Sequence, residues 1–358
     1  MRIFYDHQIF SLQRIGGVSK YFVELMKRIP KEEWYASAII SNNLYVDEEN
    51  LFKHYHFLPN LSFHGKDRLM TLVSNGYSLL QLYKQSYDIF HQTDYNPYCI
   101  TTLKRKNVPF ITTCHDLNFA TVNQCDYLMK WQKKSMQNAD AIIAISENTK
   151  KELLSLWNIP ENRVEVIYHG VNLHENEHYT RKLDVPYILY VGTRFSFKNF
   201  RNLLFAFSKL SQKYRDLFLV CVGSPFTRNE LKDIIDLKLQ NRIYQFSVSD
   251  SELNSLYHFA ECFVYPSISE GFGLPLLEAM SNGCPVACSN TSCFPEIAAN
   301  AAIYFSPFDV DNICSTLETV LLNPSLKADL VRLGKERVRY FSWDKSVKAH
   351  LALYKRFL

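Results

Sequence analysis

Apolar residues along this chain come in two rhythms. Short runs rich in Ile, Val, Phe and Tyr alternate with longer segments in which apolar positions recur at helical spacing, and such alternation marks βαβ units on a parallel sheet. The runs at Arg2–His7, Ala36–Ile40, Asp88–Gln92, Pro109–Cys114, Ala141–Ile145 and Val164–Tyr168 predict strands. Between them, helical spacing predicts helices near Val18–Ile29, Lys66–Lys84, Tyr127–Asn138 and Asn148–Trp157. The polar stretch Asn172–Asp184 has no apolar period and reads as a linker. Beyond it the pattern restarts. Strands are expected at Tyr187–Val191, Leu217–Val222, Ile243–Phe246, Cys262–Tyr265, Val286–Cys288 and Ala302–Phe305. Helices are expected near Asn199–Lys209, Asn229–Leu239, Asp250–Phe259, Leu274–Asn282 and Asp311–Leu322. The fold class is therefore α/β with two doubly wound halves. Ligands of such sheets are expected at the carboxyl ends of the strands and in the cleft between halves.

Composition adds limits rather than a function. With 47% hydrophobic residues and only 11 glycines in 358 residues, the chain can fill the cores of two domains and is not low-complexity. Forty Lys and Arg against 36 Asp and Glu leave a net charge of +4, too little for a general polyanion binder, so no nucleic-acid partner is expected. Nine cysteines without a C-x-x-C pair argue against a disulfide framework and a zinc ribbon, and fit a reducing compartment. Asp6 interrupts the stretch where a secretory signal needs unbroken apolar residues, and no apolar run reaches the ~18 residues of a membrane span. The expectation is a cytoplasmic protein whose membrane contact, if any, is peripheral on the inner face.

Several loops carry candidate chemistry. Gly16 and Gly17 lie between the first strand and helix, where paired glycines let a backbone turn approach a phosphate or simply make a tight turn. Gly271-Phe272-Gly273 opens like a dinucleotide fingerprint, but Leu276 holds the third glycine position, which argues against a nicotinamide dehydrogenase. The densest segment runs from Glu270 to Glu278, with Pro275 in the first helical turn. Its glycines offer backbone amides at a positive helix end where a diphosphate can settle, and its carboxylates can accept hydrogen bonds from sugar hydroxyls. Arg194 and Lys198 follow another strand and can clamp a diphosphate or stand solvated. His115 and Asp116 end a strand of the first half, though a lone histidine is more often structural. Asp309 and Asp311 read as a helix cap before they read as a metal pair. The basic groups Lys104-Arg105-Lys106 and Lys130 with Lys133-Lys134, beside the leucine-rich segment Arg68–Tyr83, mark solvated faces or a membrane contact.

Taken together these segments resemble the retaining glycosyltransferases of the GT-B class called family 4, or glycosyl transferases group 1. Within that family the likeness is to bacterial mannosyltransferases of surface polysaccharide synthesis. It spans nearly the whole chain, taking in Ala144-Ile-Ser146-Glu-Asn-Thr149, Ile167-Tyr-His-Gly-Val171 and Phe341-Ser-Trp343 besides the loops above. The resemblance implies two Rossmann-like domains facing a central cleft: an acceptor-side domain over residues 1–172, a donor-binding domain over 185–341, and a final helix, 342–358, crossing back to the first. It assigns Glu278 to the nucleotide ribose, Glu270 to the transferred sugar, and Gly271, Phe272, Gly273 and Leu274 to sugar and phosphate. Arg194 and Lys198 would neutralise the diphosphate, with Gly16 and Gly17 contacting it from the other half. His115 would approach the donor hexose, and Val248 in the loop Gln245–Asp250 would meet the nucleobase. The implied partners are a nucleotide sugar, with GDP-mannose favoured by the stretch Asp6–Leu25, and a glycan or lipid-linked glycan acceptor. The family needs no metal or other cofactor. A catalytically silent nucleotide-sugar binder and a GT-B sugar-nucleotide epimerase remain the alternatives.

Overall fold

The computed structural model describes residues 1–61, 63–118, 126–173, 178–194 and 196–358. The chain divides into two compact units, one of Met1–Gly170 with Trp343–Leu358 and the other of Val171–Ser342. The first unit holds a six-stranded sheet in the order β2-β1-β3-β4-β5-β6. Its strands are β1 Ile3–Tyr5, β2 Trp34–Ala36, β3 Ile89–Gln92, β4 Phe110–Cys114, β5 Ala141–Ala144 and β6 Val164–Val166. The second unit holds β7 Tyr187–Val191, β8 Phe218–Val222, β9 Ile243–Phe246, β10 Cys262–Tyr265, β11 Val286–Ser289 and β12 Ile303–Phe305, in the order β12-β11-β10-β7-β8-β9. Every pairing in both sheets is parallel. Strands covered by helices on both faces are largely apolar, as the fully buried β5, β7 and β10 show.

Some boundaries fall where hydrophobic pattern alone does not put them. The strand expected at Ala36–Ile40 lies at Trp34–Ala36. The Ser37 amide makes a last bond to β1 at the Tyr5 carbonyl (3.1 Å), its hydroxyl meets that of Ser78 at 2.8 Å, and beyond it Ile40 makes an isolated bridge to Tyr55. The run Arg2–His7 shortens to β1, since Asp6 turns to accept a hydrogen bond from the Thr93 backbone (2.8 Å) and a short helix Gln8–Leu12 follows. Helices Ile100–Lys106 and Pro324–Val338 have no counterpart in the periodicity reading. The second buries only Leu330, Gly334 and Val338, too few for a clear stripe, and starts on the Asn323 cap.

The C-terminal helix Trp343–Lys355 is part of the first unit's core, where Trp343, Val347, Leu353 and Tyr354 pack with Tyr5, Phe22 and Ile111. A buried polar network also holds it. The Ser346 carbonyl accepts from His350 Nδ1 (2.7 Å), so His350 Nε2 is the acceptor for the Tyr21 hydroxyl at 2.5 Å. His91 bridges the Tyr354 hydroxyl (2.7 Å) and Thr113 (2.9 Å). Gly170 must be glycine here, because a Cβ would lie 2.2 Å from the Trp343 nitrogen.

Candidate active site

In an open doubly wound sheet, ligands settle where the strand order reverses, outside the carboxyl ends of the two strands that part there. In the second unit that point lies between β7 and β10, which are paired neighbours. The two loops leaving it are Gly192–Asn199 and Pro266–Gly273, which contain most of the residues singled out in the sequence of this half.

The loops are tied to each other. Ile268 donates its backbone N–H to the Phe197 carbonyl (2.8 Å), and Asn199, at a φ of 56°, donates its amide to the carbonyls of Pro266 (3.1 Å) and Pro307 (2.7 Å). From this frame Lys198 forms a salt bridge with Glu270 and reaches the Tyr265 hydroxyl at 3.4 Å. The Lys198 and Glu270 side chains are 15% and 12% exposed, so the pair is shielded yet still reachable from solvent. Glu270 is held at its backbone by Ser292, whose hydroxyl accepts from the Glu270 N–H (3.1 Å) and donates to the Glu270 carbonyl (2.7 Å). Ser292 lies 22 residues on and carries no signal in the sequence that ties it to Glu270.

Gly271, Phe272 and Gly273 are buried and lead into helix Leu274–Ser281. Gly273 is its N-cap in the left-handed region (φ 87°), and a Cβ there would lie 3.2 Å from Leu276 Cδ1. No side chain caps this end by hydrogen bond, and no acidic residue occupies the first turn. Glu278 lies one turn in, where the Tyr257 hydroxyl donates to it at 3.4 Å. Phe272 packs edge-on against Phe341. Val248 is half-buried in the turn between β9 and helix Asp250–Phe259.

Arg194 belongs to a different set of contacts. Its side chain is 4% exposed, its Nε bonds Glu230 at 2.8 Å, and its Nη2 donates to the carbonyls of Ser224 (2.6 Å) and Pro225 (3.0 Å). Its Nη1 is buried with no hydrogen-bond partner. The turn it crosses is crowded, because a Cβ on Gly223 would come within 2.6 Å of the Gly192 carbonyl. Asp309 caps helix Val310–Leu322, accepting from the amides of Asp311 (2.9 Å) and Asn312 (3.0 Å), while Asp311 pairs with Lys209.

The first unit places His115 just past β4. Its Nε2 is buried without a hydrogen-bond partner, its ring stacks on His169 at 5.9 Å, and Tyr21 meets it edge-on at 5.0 Å. Burial, with His350 nearby, lowers its pKa to about 3, so the ring is neutral. Gly16 and Gly17 open helix Gly17–Met26, where Ser19 donates its amide to the Gln13 side chain (3.2 Å). The strand order of this sheet reverses between β1 and β3, and there Asp6, Thr93 and Asp94 gather. Burial, with Asp6 and Asp116 close by, raises the Asp94 carboxyl to about 7. Hydrophobic patterning does not reveal this group, since the three residues come from two strand ends 87 positions apart.

Two family models match successive parts of the chain, together from residue 15 to residue 337. The one described as Glycosyltransferase Family 4 covers residues 15–175, and the one described as Glycosyl transferases group 1 covers 174–337. The chain belongs to the family 4 glycosyltransferases. The transferase is 28% identical to O-antigen chain mannosyltransferase B of Escherichia coli over 95% of its own length and 96% of the relative's. It is 30% identical to the O-antigen chain mannosyltransferase RfbU of Salmonella typhimurium over 52% of its length and 53% of that protein. Its fold is that of a Rickettsia africae glycosyltransferase (TM-score 0.76, 22% identity, 99% and 98% of the two chains). It also matches Anabaena HepE, solved with UDP and glucose (TM-score 0.78, 14% identity, 99% and 100%). The fold class of the transferase is GT-B.

Proposed function

We propose that the transferase moves a hexose from a nucleotide sugar, GDP-mannose being the favoured donor, to a hydroxyl of a glycan or lipid-linked glycan with retention of the anomeric configuration. The observation that carries this reading is the Lys198–Glu270 pair, set at the strand-order reversal beside the uncapped start of helix Leu274–Ser281. A cation and a row of backbone amides suit a diphosphate, and adjacent carboxylates suit sugar and ribose hydroxyls. Support for the sugar comes from the relatives, two of which are named O-antigen mannosyltransferases.

In this reading Lys198 leaves Glu270 for the diphosphate when the donor binds, and Glu270 turns to the hydroxyls of the hexose. Glu278 takes the ribose, Val248 lies at the base, and Gly271, Phe272, Gly273 and Leu274 frame sugar and phosphate. His115 serves the hexose, while Gly16 and Gly17 serve the diphosphate. Arg194 shares that charge through Nη1, the part of its guanidinium not already bonded. The bond between the anomeric carbon and the phosphate oxygen breaks as the bond to the acceptor oxygen forms on the same face. The acceptor's proton passes to the departing diphosphate. Positive charge from Lys198 and the helix start stabilises that leaving group, so no metal is required.

The acceptor is proposed to be met at the membrane surface by the first unit, where helix Asp126–Asn138 exposes Tyr127, Lys130, Trp131 and Lys134. Among the described residues no helix is long and apolar enough to cross a membrane. The test is a panel of nucleotide sugars read by thermal stabilisation and by release of nucleoside diphosphate. A donor at 100 times its dissociation constant adds about 2.7 kcal/mol. GDP-mannose stabilising the protein and turning over is the expected result. Stabilisation without turnover would leave only a binding protein.

A further inference from the structure

A second cluster of coordinating side chains lies in the first unit, among residues with no part in the donor chemistry above. Asn43 caps the short helix Leu44–Glu48, accepting from the Val46 amide at 3.2 Å, and this helix carries Asp47. The chain then returns beside Ile40: Tyr55 donates to the Ile39 carbonyl (2.8 Å) and accepts from the Ser41 amide (3.1 Å). In an extended segment successive side chains alternate faces, so His54 and His56 share one face while Tyr55 takes the other. Both imidazoles meet Asp47. His54 Nε2 lies 2.8 Å and His56 Nε2 3.6 Å from Asp47 Oδ1, and the three ligand atoms all lie within 4.8 Å of one another.

The hydrogen bonds of His54 fix its tautomer. Its Nδ1 lies 3.0 Å from the Phe52 carbonyl, which can only accept, so Nδ1 carries the proton. Nε2 therefore faces a carboxylate with the lone pair of a neutral ring, unless that nitrogen also holds a proton or a metal ion. A carbonyl on the far nitrogen is also the usual outer-shell support of a metal-binding histidine. Tetrahedral ligands about 2.0–2.2 Å from zinc lie about 3.4 Å apart, within the range of separations seen here.

We infer that Asp47, His54 and His56 form a divalent-metal site that takes Zn²⁺, with water completing the coordination. Two imidazole nitrogens and one carboxylate oxygen match the ligand preference of zinc. The bound ion joins the 54–56 segment to helix Leu44–Glu48, which the His54–Asp47 contact already links. Any proton on an imidazole Nε2 leaves as the metal enters, so affinity rises with pH. The His56 side chain is 50% exposed, which leaves the ion a path in from solvent.

The experiment titrates the metal-stripped full-length protein with Zn²⁺ by calorimetry and by thermal melting, and with Co²⁺ by its visible absorption. Expected are about one ion per chain, a tetrahedral Co²⁺ spectrum, and a Tm raised by Zn²⁺. His56→Gln, a change at a half-exposed side chain, should weaken binding by more than the roughly 10–100-fold that loss of an outer-shell partner costs, and abolish the Tm shift. His54→Gln should do the same. Absence of stoichiometric binding in the wild type, or equal affinity in wild type and His56→Gln, would overturn the inference. Donor turnover is the internal control, because none of the three residues is assigned to the donor: His56→Gln should leave it unchanged.

Discussion

Lys198 and Glu270 stand 72 residues apart in the chain and meet as an ion pair because β7 and β10, which deliver them, are adjacent in the sheet. In this structure the cation proposed for the diphosphate is neutralised by the carboxylate proposed for the sugar. Donor binding must exchange partners for both. Lys198→Gln is expected to lower kcat by about 10²–10³-fold, the loss that follows removal of one charge-stabilising donor at a reacting centre. Steady-state kinetics check this, and a loss of less than about threefold would remove Lys198 from the leaving-group role.

Glu270 and Glu278 bracket the same helix start but are assigned to different parts of the proposed donor. Glu278→Ala should weaken binding of the nucleoside diphosphate alone, whereas Glu270→Ala should chiefly lower turnover and blur the choice between donor sugars. Calorimetry with GDP and UDP separates the two. Equal diphosphate affinity in both variants and the wild type would show that Glu278 does not hold the ribose.

How far the sequence reveals this site depends on how local each contact is. The segment Glu270–Glu278 is legible because glycine, proline and carboxylate positions within nine residues define a helix start by themselves. The α/β class and most strands are legible because buried parallel strands are apolar runs. What the sequence hides is long-range. Nothing near Arg194 announces that Glu230 and two carbonyls will take up its fork, and nothing near Glu270 points to Ser292. The C-terminal helix was expected to cross back, yet its polar anchor depends on four residues from elsewhere in the chain: Tyr5, Tyr21, His91 and Thr113. Helix Pro324–Val338 escaped the periodicity reading because its buried face is narrow.

Chelation tests whether the donor chemistry runs without metal. Turnover should persist in EDTA, since Lys198 and the helix start are proposed to carry the charge a metal would supply. Replacing Asp309 and Asp311 together by Asn should leave kcat nearly unchanged, because Asp309 is occupied as a cap and Asp311 by Lys209. Full loss of activity in EDTA, restored by Mg²⁺ or Mn²⁺, would contradict this.

Acid should loosen the first unit before it protonates most carboxylates. Burial is the main cause lowering the pKa values of His91, His115, His169 and His350, to about 3 for His115 and about 4 for His350. Each ring stays neutral in the folded chain but takes a proton in the unfolded one below about pH 6.5. The unfolded state then binds more protons, and each group costs about 1.4 kcal/mol of stability per pH unit between its two values. Asp94, Asp6 and Glu152 act in the opposite sense, since burial raises all three, and His7 adds to the histidines. Five histidines against three carboxylates leave a net loss as pH falls from about 6.5 toward 4. The Tm measured across that window should drop, and His350→Gln should make the drop shallower. A flat profile would mean these rings are hydrated and free to protonate in place.

The first unit should bind anionic membranes. Helix Lys66–Lys84 turns Leu69, Leu72, Val73, Leu80 and Tyr83 outward, Leu72 being 70% exposed, and Leu58, Leu61 and Phe63 are exposed just before it. Apolar side chains at this spacing on an outer face form a stripe a soluble helix would ordinarily bury. Basic residues lie in nearby sequence, though not all are free: Lys106 donates to the Leu82 carbonyl at the C-terminal end of that helix, whereas Lys104 and Arg105 are exposed. On helix Asp126–Asn138 the exposed Tyr127 and Trp131 pack edge-on at 5.5 Å beside Lys130 and Lys134, the mixture of aromatic and cationic side chains that suits a headgroup layer. Each Lys or Arg near an anionic surface contributes about 1 kcal/mol, so a handful with the apolar stripe suffices for reversible binding. Co-sedimentation with phosphatidylglycerol vesicles at low salt should therefore retain the protein, and Lys130→Gln with Lys134→Gln should release it in part. Leu72→Gln should weaken what remains at high salt, where charge is screened and the apolar term stands alone. No sedimentation with vesicles at low salt, or binding indifferent to all three substitutions, would place the acceptor in solution and leave these side chains without a partner.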